Sequence, residues 1–188
     1  MIQQARRAAA GLLCALLFLT GCGRVTAPAS SSAVLAAMCS EPGGAGQDIA
    51  ATCAVYTRAA SPYGDEYLSD TLFSALYGEA ARGLLQGTAE IPAAINDAAV
   101  CLSVAPVPLE LAVFRCSDTR GTATAVGLCR ARLETVRGAW RGTDHEAVVT
   151  EGVVTVEGSY VLLVVAPNPD RVLRAARAAI RRGDTDAP

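Results

Sequence analysis

Val153-Val154-Thr155-Val156-Glu157-Gly158-Ser159-Tyr160-Val161-Leu162-Leu163-Val164-Val165-Ala166 is the stretch that decides the fold of this 188-residue chain. Val153 to Glu157 is dominated by β-branched side chains, the composition of a strand. Gly158-Ser159 is the two-residue connection of a type II′ hairpin, with glycine at the position whose φ must be positive. The returning run, Tyr160 to Ala166, has no polar alternation, which predicts a strand buried on both faces. Seven residues are too few to cross a bilayer, which takes ~20 in a helix.

Beyond the hairpin lies the clearest helix. Asn168 can cap it, Pro169 suits its first position, and Asp170 complements its N-terminal dipole. Arg181-Arg182-Gly183 gives it a basic end and a glycine stop. Val172, Leu173, Ala176, Ala179 and Ile180 form its inner stripe. Arg171, Arg174, Arg177 and Arg181 line the other side and read as a solvated face, with an anionic-lipid or partner patch as the competing reading. Asp184 to Pro188 is expected to be disordered.

Working back from the hairpin, Ala147 to Thr150 reads as a short strand, and Gly138 to Asp144 as a loop holding the single Trp140. Thr122 to Arg137 is predicted to be a helix, with Val126, Cys129, Leu133 and Val136 on one face and Arg130, Glu134 and Arg137 turned away. Ala98 to Val104 and Leu109 to Cys116 read as strands joined through Ala105-Pro106-Val107-Pro108, whose prolines cannot donate to a ladder. A simple hairpin there pairs Val104 with Leu109 and sets Cys101 opposite Ala112, which disfavours a Cys101–Cys116 disulfide. Leu68, Leu72, Phe73, Leu76, Tyr77, Ala80, Ala81, Leu84 and Leu85 form an amphipathic stripe. Gly78 and Gly83 interrupt it, so two short helices meeting near Tyr77-Gly78 are expected. Ala33 to Cys39 and Gln47 to Ala59 read as further helices. These elements together predict a single α+β domain over residues 33–183, with an antiparallel sheet of about five strands packed with helices and a helical N-terminal part.

The segment from Tyr67 to Arg182 resembles the bacterial lipoprotein family known as domain of unknown function 4358. The residues carrying the likeness are Tyr77-Gly78, Glu110-Leu111-Ala112-Val113-Phe114-Arg115 ahead of the next helix, and Gly158-Ser159-Tyr160-Val161-Leu162-Leu163 ahead of the last. These are packing and turn features. The family has no agreed activity, so the resemblance implies no catalytic residue here.

The chain starts with Arg6 and Arg7, followed by an apolar run from Ala8 to Leu19. These are the n-region and h-region of a signal peptide. Leu19-Thr20-Gly21-Cys22 closes the run and resembles the bacterial lipobox. That resemblance implies cleavage after Gly21, which removes residues 1–21, and a diacylglyceryl group on the Cys22 thiol. The expected location is the extracytoplasmic face of the cell membrane, held through the lipid. The alternative is a soluble secreted chain in which Cys22 is incidental. Residues 22–32, rich in Ser, Pro and Ala, read as a flexible tether.

Composition narrows the function more than it defines it. All sixteen basic residues are arginine. Without an ε-amine there is no Walker-A phosphate lysine, no pyridoxal Schiff base and no serine–lysine catalysis. After residues 1–21, 14 Arg stand against 18 acids, a net charge of about -4, the wrong sign for a nucleic-acid binder. With 5% aromatic residues, the core must be built from Val, Leu and Ala.

Of seven cysteines, Cys39, Cys53, Cys101, Cys116 and Cys129 remain for the folded part, an odd number that cannot all pair within one chain. Cys39 and Cys53 flank Gly43-Gly44-Ala45-Gly46 and are a candidate disulfide; two buried apolar thiols is the other reading. No C-x-x-C pair exists and His145 is the single histidine, so no metal site is expected. Asp144 and Glu146 beside His145 point away from it in a loop or strand and do not make a catalytic base of it. Gly43 to Gly46 lacks the lysine and spacing of a phosphate cradle, and Asp65, Glu66 and Asp70 near a helix start are accounted for by the helix dipole. No cofactor is implied. The function expected is a non-catalytic binding or accessory module of the envelope, whose partner is a protein, glycan or small ligand. The alternative is a thiol-based redox or hydrolytic enzyme.

Overall fold

A computed structural model describes residues 28–41, 53–59, 66–81 and 90–183. In chain order they form α1 (Ser31–Cys39), β1 (Cys53–Thr57), β2 (Glu66–Tyr67), α2 (Asp70–Ala81), β3 (Ile95–Ser103), β4 (Glu110–Cys116), α3 (Thr119–Trp140), α4 (Glu146–Thr150), β5 (Val153–Glu157), β6 (Tyr160–Val165) and α5 (Pro169–Arg182). The strands make one six-stranded sheet in the order β2-β1-β3-β4-β6-β5. Only the short β1–β2 pairing is parallel. The fold is a single α+β domain, as the residue patterns predicted, with one strand more than the five expected.

The N-terminal part supplies two unexpected strands, β1 and β2, while one expected strand, Ala147 to Thr150, is lost. Cys53–Thr57 is a strand and not the helix expected over Gln47 to Ala59, because Val55, Tyr56 and Thr57 find β3 to pair with, Tyr56 opposite Val100. Tertiary pairing overrides a weak local helical pattern. The opposite correction applies to Ala147 to Thr150. Its residues lie in the short helix α4, whose end is held by Arg137: Nε donates to Val149 O at 3.1 Å, and Nη2 to Thr150 O and Gly152 O at 3.0 Å each. Arg137 therefore does not simply turn away to solvent. α3 runs on to Trp140, taking in the first three residues of the expected loop. α2 passes through Gly78 as one helix and does not break there; residues 82–89, including Gly83, Leu84 and Leu85, lie outside the described residues.

β6 is buried along its whole length, Tyr160 through Val165, as its unbroken apolar run required. Gly158 has φ +62°, and Ser159 is not among the residues of positive φ, the signature of a II′ connection. α5 begins as expected at Pro169, but Asn168 sits in the left-handed region and makes no side-chain cap. Two of its outer arginines are paired: Arg177 Nε donates to Glu157 Oε1 at 2.6 Å, and Arg171 lies 3.3 Å from Glu41.

The sheet is covered on both faces. Ala98, Val100, Ala112, Phe114, Val161, Leu163 and Val165 pack against Phe73 and Tyr77 of α2 and Leu128, Cys129 and Leu133 of α3. The rings of Phe73, Tyr77 and Phe114 meet at 5.0–6.2 Å, one pair stacked and two edge-on, each worth ~1 kcal/mol beyond the area buried. The opposite face, with Ala99, Cys101, Leu111, Val113, Leu162 and Val164, packs against Val34, Leu35 and Met38 of α1 and Val172, Leu173 and Ala176 of α5.

The β3–β4 register is one residue from the simple hairpin. Cys101 stands opposite Leu111, and Ala112 opposite Val100. Because side chains alternate with period two, the shift moves Cys101 to the face opposite Phe114 and Cys116. The sheet itself therefore separates Cys101 from Cys116.

Candidate functional site

Three places gather polar or reactive side chains, and the local sequence builds each differently. The first lies under α3. Glu110 opens β4 facing the α2–α3 layer, and Arg132 projects from α3 onto it. Arg132 Nε lies 3.1 and 3.0 Å from the two carboxylate oxygens and Nη2 lies 2.8 Å from Oε2, with the Glu110 side chain 4% and the Arg132 side chain 21% exposed. This is a forked, charge-assisted pair. Burial alone would weaken the Arg132 charge, but hydrogen bonding to Glu110 and its negative charge outweigh that and hold the guanidinium more firmly protonated than usual. Beside the pair, the Tyr77 hydroxyl is buried without a well-formed hydrogen bond. Burial first and the Glu110 charge second push its pKa well above the ordinary phenol range. The Cys129 thiol, completely buried, is pushed up for the same reasons in the same order. With Glu110 engaged on both oxygens and both acidic protons held tightly, the group cannot serve as base or nucleophile. It fastens α3 to the sheet.

The second place is on the other face, around the start of α1. Asp97 is buried next to the β-bulge of β3. Its Oδ2 accepts the backbone N–H of Ser31 at 2.7 Å, so a carboxylate from the sheet caps the first turn of α1, where a negative charge suits the dipole. Ser30 Oγ accepts from Ala33 N at 3.2 Å and completes the cap. Tyr160 donates its hydroxyl to Ala29 O at 2.5 Å. Arg115 Nη1 reaches Ala29 O at 3.3 Å and Pro28 O at 3.4 Å, while its Nη2 lies 3.9 Å from Asp97. Three strands thus grip Pro28–Ser31. Residues 28–32, expected to belong to the tether over 22–32, do not: Ala29 and Ser31 are buried and Ser31 already lies in α1, while 22–27 lie outside the described residues.

The third place is a cleft of about 330 Å³ where β4 ends and α3 begins, lined by Cys116, Asp118, Thr119, Thr122, Gly158 and Ser159 among others. Gly121 brings α3 close here: a Cβ would sit 2.6 Å from Ala94 O. The helix start is not open to an anion, since Asp118 already caps it, its carboxylate accepting from Gly121 N at 2.7 Å. The Cys116 thiol is pushed up, by burial first and by Asp118, against a smaller opposing pull from the Thr122 hydrogen bond. It is a poor nucleophile at neutral pH, since the reactive form is the thiolate.

The residues singled out in the sequence are dispersed. His145 packs edge-on against Trp140 with 5.4 Å between ring centroids, and the Glu146 carboxylate accepts from Gly142 N instead of orienting the imidazole. Asp70 is taken by Arg58 at 3.0 Å and Ile91 N at 3.1 Å. Among the described residues, no three His, Cys, Asp or Glu side chains are arranged to hold a metal ion. Cys39 and Cys53 are thiols, and both pack against the apolar cluster that holds Cys101, on the face opposite the one the simple hairpin register gives it. Cys22, the Gly43 to Gly46 loop, Asp65 and residues 184–188 lie outside the described residues. Among the described residues, no helix is long and apolar enough to cross a membrane. No family model matches the chain, and no curated protein or solved structure matches it. The likeness to domain of unknown function 4358 therefore rests on its residues alone.

Proposed function

We propose that this chain is a lipoprotein of the cell envelope, anchored through Cys22 on the extracytoplasmic face of the membrane, and that its folded part is a non-catalytic binding or accessory domain. The lipobox-like Leu19-Thr20-Gly21-Cys22 supports the anchor. Two acyl chains hold firmly where one holds only marginally. The single observation that carries the reading is the grip of Asp97, Arg115 and Tyr160 on Pro28–Ser31. Pro28 follows Cys22 by only six residues, a reach of at most ~20 Å when fully extended. A domain seized that close to its anchor stands near the bilayer with the end of β4 and the β5–β6 turn toward it. The opposite end of the sheet and the outer helix faces are left for a protein, glycan or small ligand.

The chemistry of the buried groups favours binding over catalysis. Glu110 is consumed by Arg132, the Cys116 and Cys129 thiols are pushed away from their reactive form, and His145 leans on an indole. Metabolic labelling with a fatty-acid analogue tests the anchor: label is expected on the wild type and lost with Cys22→Ala, and label that persists in the variant overturns it. Retention of an envelope component by the anchored chain, against a control carrying only residues 1–32, tests the binding role. Turnover of an ester, glycoside or disulfide substrate that disappears on substitution of Cys116 or His145 would favour the enzymatic reading instead.

A further inference from the structure

The two edges of the sheet differ. β2, at one border, is two residues long, whereas β5, at the other, is five. The phase of the β5 hydrogen bonds follows from its neighbours. Cys116 N donates to Ser159 O at 2.8 Å, so in the alternating ladder Val161, Leu163 and Val165 aim their main chain at β4, and Tyr160, Leu162 and Val164 aim theirs at β5. Their partners Glu157, Thr155 and Val153 are therefore bonded to β6. That leaves the N–H and C=O of Val154 and Val156 pointing away from the sheet. Among the described residues, no hydrogen bond outside the ladder reaches either of them.

Open edges are usually guarded by a lysine, a proline or a bulge that discourages a further strand. β5 has none of the three, and its pairing with β6 is unbroken. Its one charge, Glu157, is already matched by Arg177 at 2.6 Å. Val156 is 44% exposed beside the open main chain. The run Val154-Thr155-Val156 reads the same in both directions, and that symmetry decides what fits: an antiparallel copy of the same strand, turned about Thr155, meets each outward donor with an acceptor. Val154 then exchanges both its main-chain bonds with Val156 of the second copy, and Val156 with Val154. Thr155 stands opposite Thr155, a favourable cross-strand pair, and Val153 opposite Glu157, so no acid faces an acid.

We infer that this chain pairs with a second copy of itself, edge to edge through β5, in a two-fold dimer centred on Thr155 that joins the two sheets into one. Val154 packs on the α2–α3 side, and Val156, two residues on, emerges on the same side. Across the junction the valines of the two copies become neighbours, and the exposed flank of Val156 is covered. The contact buries little apolar area, so association is reversible and depends on concentration. The two-fold runs normal to the sheet, so both copies turn the α1–α5 layer, and with it Pro28–Ser31, to the same side. Two anchors can then share one bilayer, each copy laid over from the end-on stance of a single domain.

Thr155→Cys reads the register directly. At the two-fold the introduced thiols face each other across a non-hydrogen-bonded pair, whose Cα atoms are ~4.5 Å apart, within disulfide range. The tryptic peptide 142–171 that carries position 155 holds no cysteine of its own, so a disulfide between two such peptides has one origin. The full chain in detergent, mildly oxidised, alkylated and digested without reductant, is expected to yield it. Val153→Cys is expected not to, because its two sites lie about 13 Å apart along the junction. Light scattering of the unsubstituted full chain should show a monomer–dimer equilibrium that shifts with concentration. Val156→Pro removes an outward N–H and no bond to β6, and should weaken association about thirty-fold, since symmetry removes one bond from each side. Val156→Lys keeps every donor and should also favour the monomer; an unchanged far-UV circular dichroism spectrum in both shows that the fold is intact. A single-copy mass at every concentration, a dimer that both substitutions leave unchanged, or an equal cross-link from Val153→Cys each overturns the inference. A failed lipid label leaves the pairing standing, and a monomer leaves the lipid anchor standing.

Discussion

Among the described residues each face of the sheet buries one carboxylate, and the two are answered in different ways. Glu110, facing α2 and α3, meets the fork of Arg132 from an element long and regular enough to project a side chain inward. Asp97, facing α1 and α5, meets a backbone N–H at 2.7 Å and only a distant Arg115 at 3.9 Å. The first is a closed lock between parts of the domain that sequence patterns alone could delimit. The second spends its charge on the first turn of α1. A buried charge on one face thus joins a long helix to the sheet, and on the other it caps the start of α1.

The largest test of that contrast is Arg132→Ala. It leaves Glu110 buried and unpaired, which costs about 3–5 kcal/mol, and a global loss of that size is expected in chemical denaturation. Replacing both partners together, Arg132→Met with Glu110→Leu, should recover most of it, since an apolar pair of similar volume has no charge to desolvate. A double variant as unstable as the single one would show that the pair does more than neutralise itself.

Asp97→Ala removes the tertiary cap of α1. A charge-assisted hydrogen bond contributes about 1.5–3 kcal/mol, and the loss should be local. Hydrogen exchange of the α1 amides is expected to quicken, while β4 and β6 keep their protection. Equal loosening across the whole sheet would erase the distinction between the two faces.

Alkaline pH sharpens the comparison from the other side. Burial beside Glu110 holds the pKa values of Tyr77 and Cys129 in the folded chain above the ordinary 10.0 of a phenol and 9.0 of a thiol. The unfolded chain therefore releases these protons first as pH rises. Stability should be unaffected by these groups below about pH 9 and fall above it, as the unfolded state ionises while the folded state does not. Tyr77→Phe should flatten the upper part of that fall, read from denaturation midpoints between pH 8 and 11. Asp97→Ala should leave its slope unchanged.

The smallest effect belongs to Tyr160→Phe, which removes the hydroxyl from Ala29 O at a cost of about 1 kcal/mol. Its expected sign is faster proteolysis near Pro28 with an almost unchanged denaturation midpoint. A large fall in the midpoint would mean that Tyr160 supports the core itself.

The elements read correctly are those whose pattern repeats along the chain. The unbroken apolar run of β6, the glycine-first turn at Gly158, the proline-led start and glycine stop of α5 and the Leu133–Val136 face of α3 all follow from local sequence, because backbone dihedrals and side-chain periodicity are local properties. The misread ones were decided by distant partners. Cys53–Thr57 became a strand because β3 was there to pair with it. Thr150 ended a helix because Arg137, 13 residues earlier, took its carbonyl. Gly78 stayed helical between packed turns.

The sites show the same division. Sequence by itself determined the chemical inventory: no lysine, one histidine, an odd set of cysteines, and an apolar run from Ala8 to Leu19 ahead of Cys22. It also determined the α+β class, through the alternation of buried strands with amphipathic helices. Only the tertiary structure decided that Glu110 belongs to Arg132, that Asp97 caps a helix 66 residues away, and that Cys101 lies on the face opposite Cys116. The physical reason is register. A one-residue shift between β3 and β4 leaves every local propensity unchanged, yet it exchanges the faces on which side chains emerge, and packing on both sides of the sheet at once is what selects among the shifts.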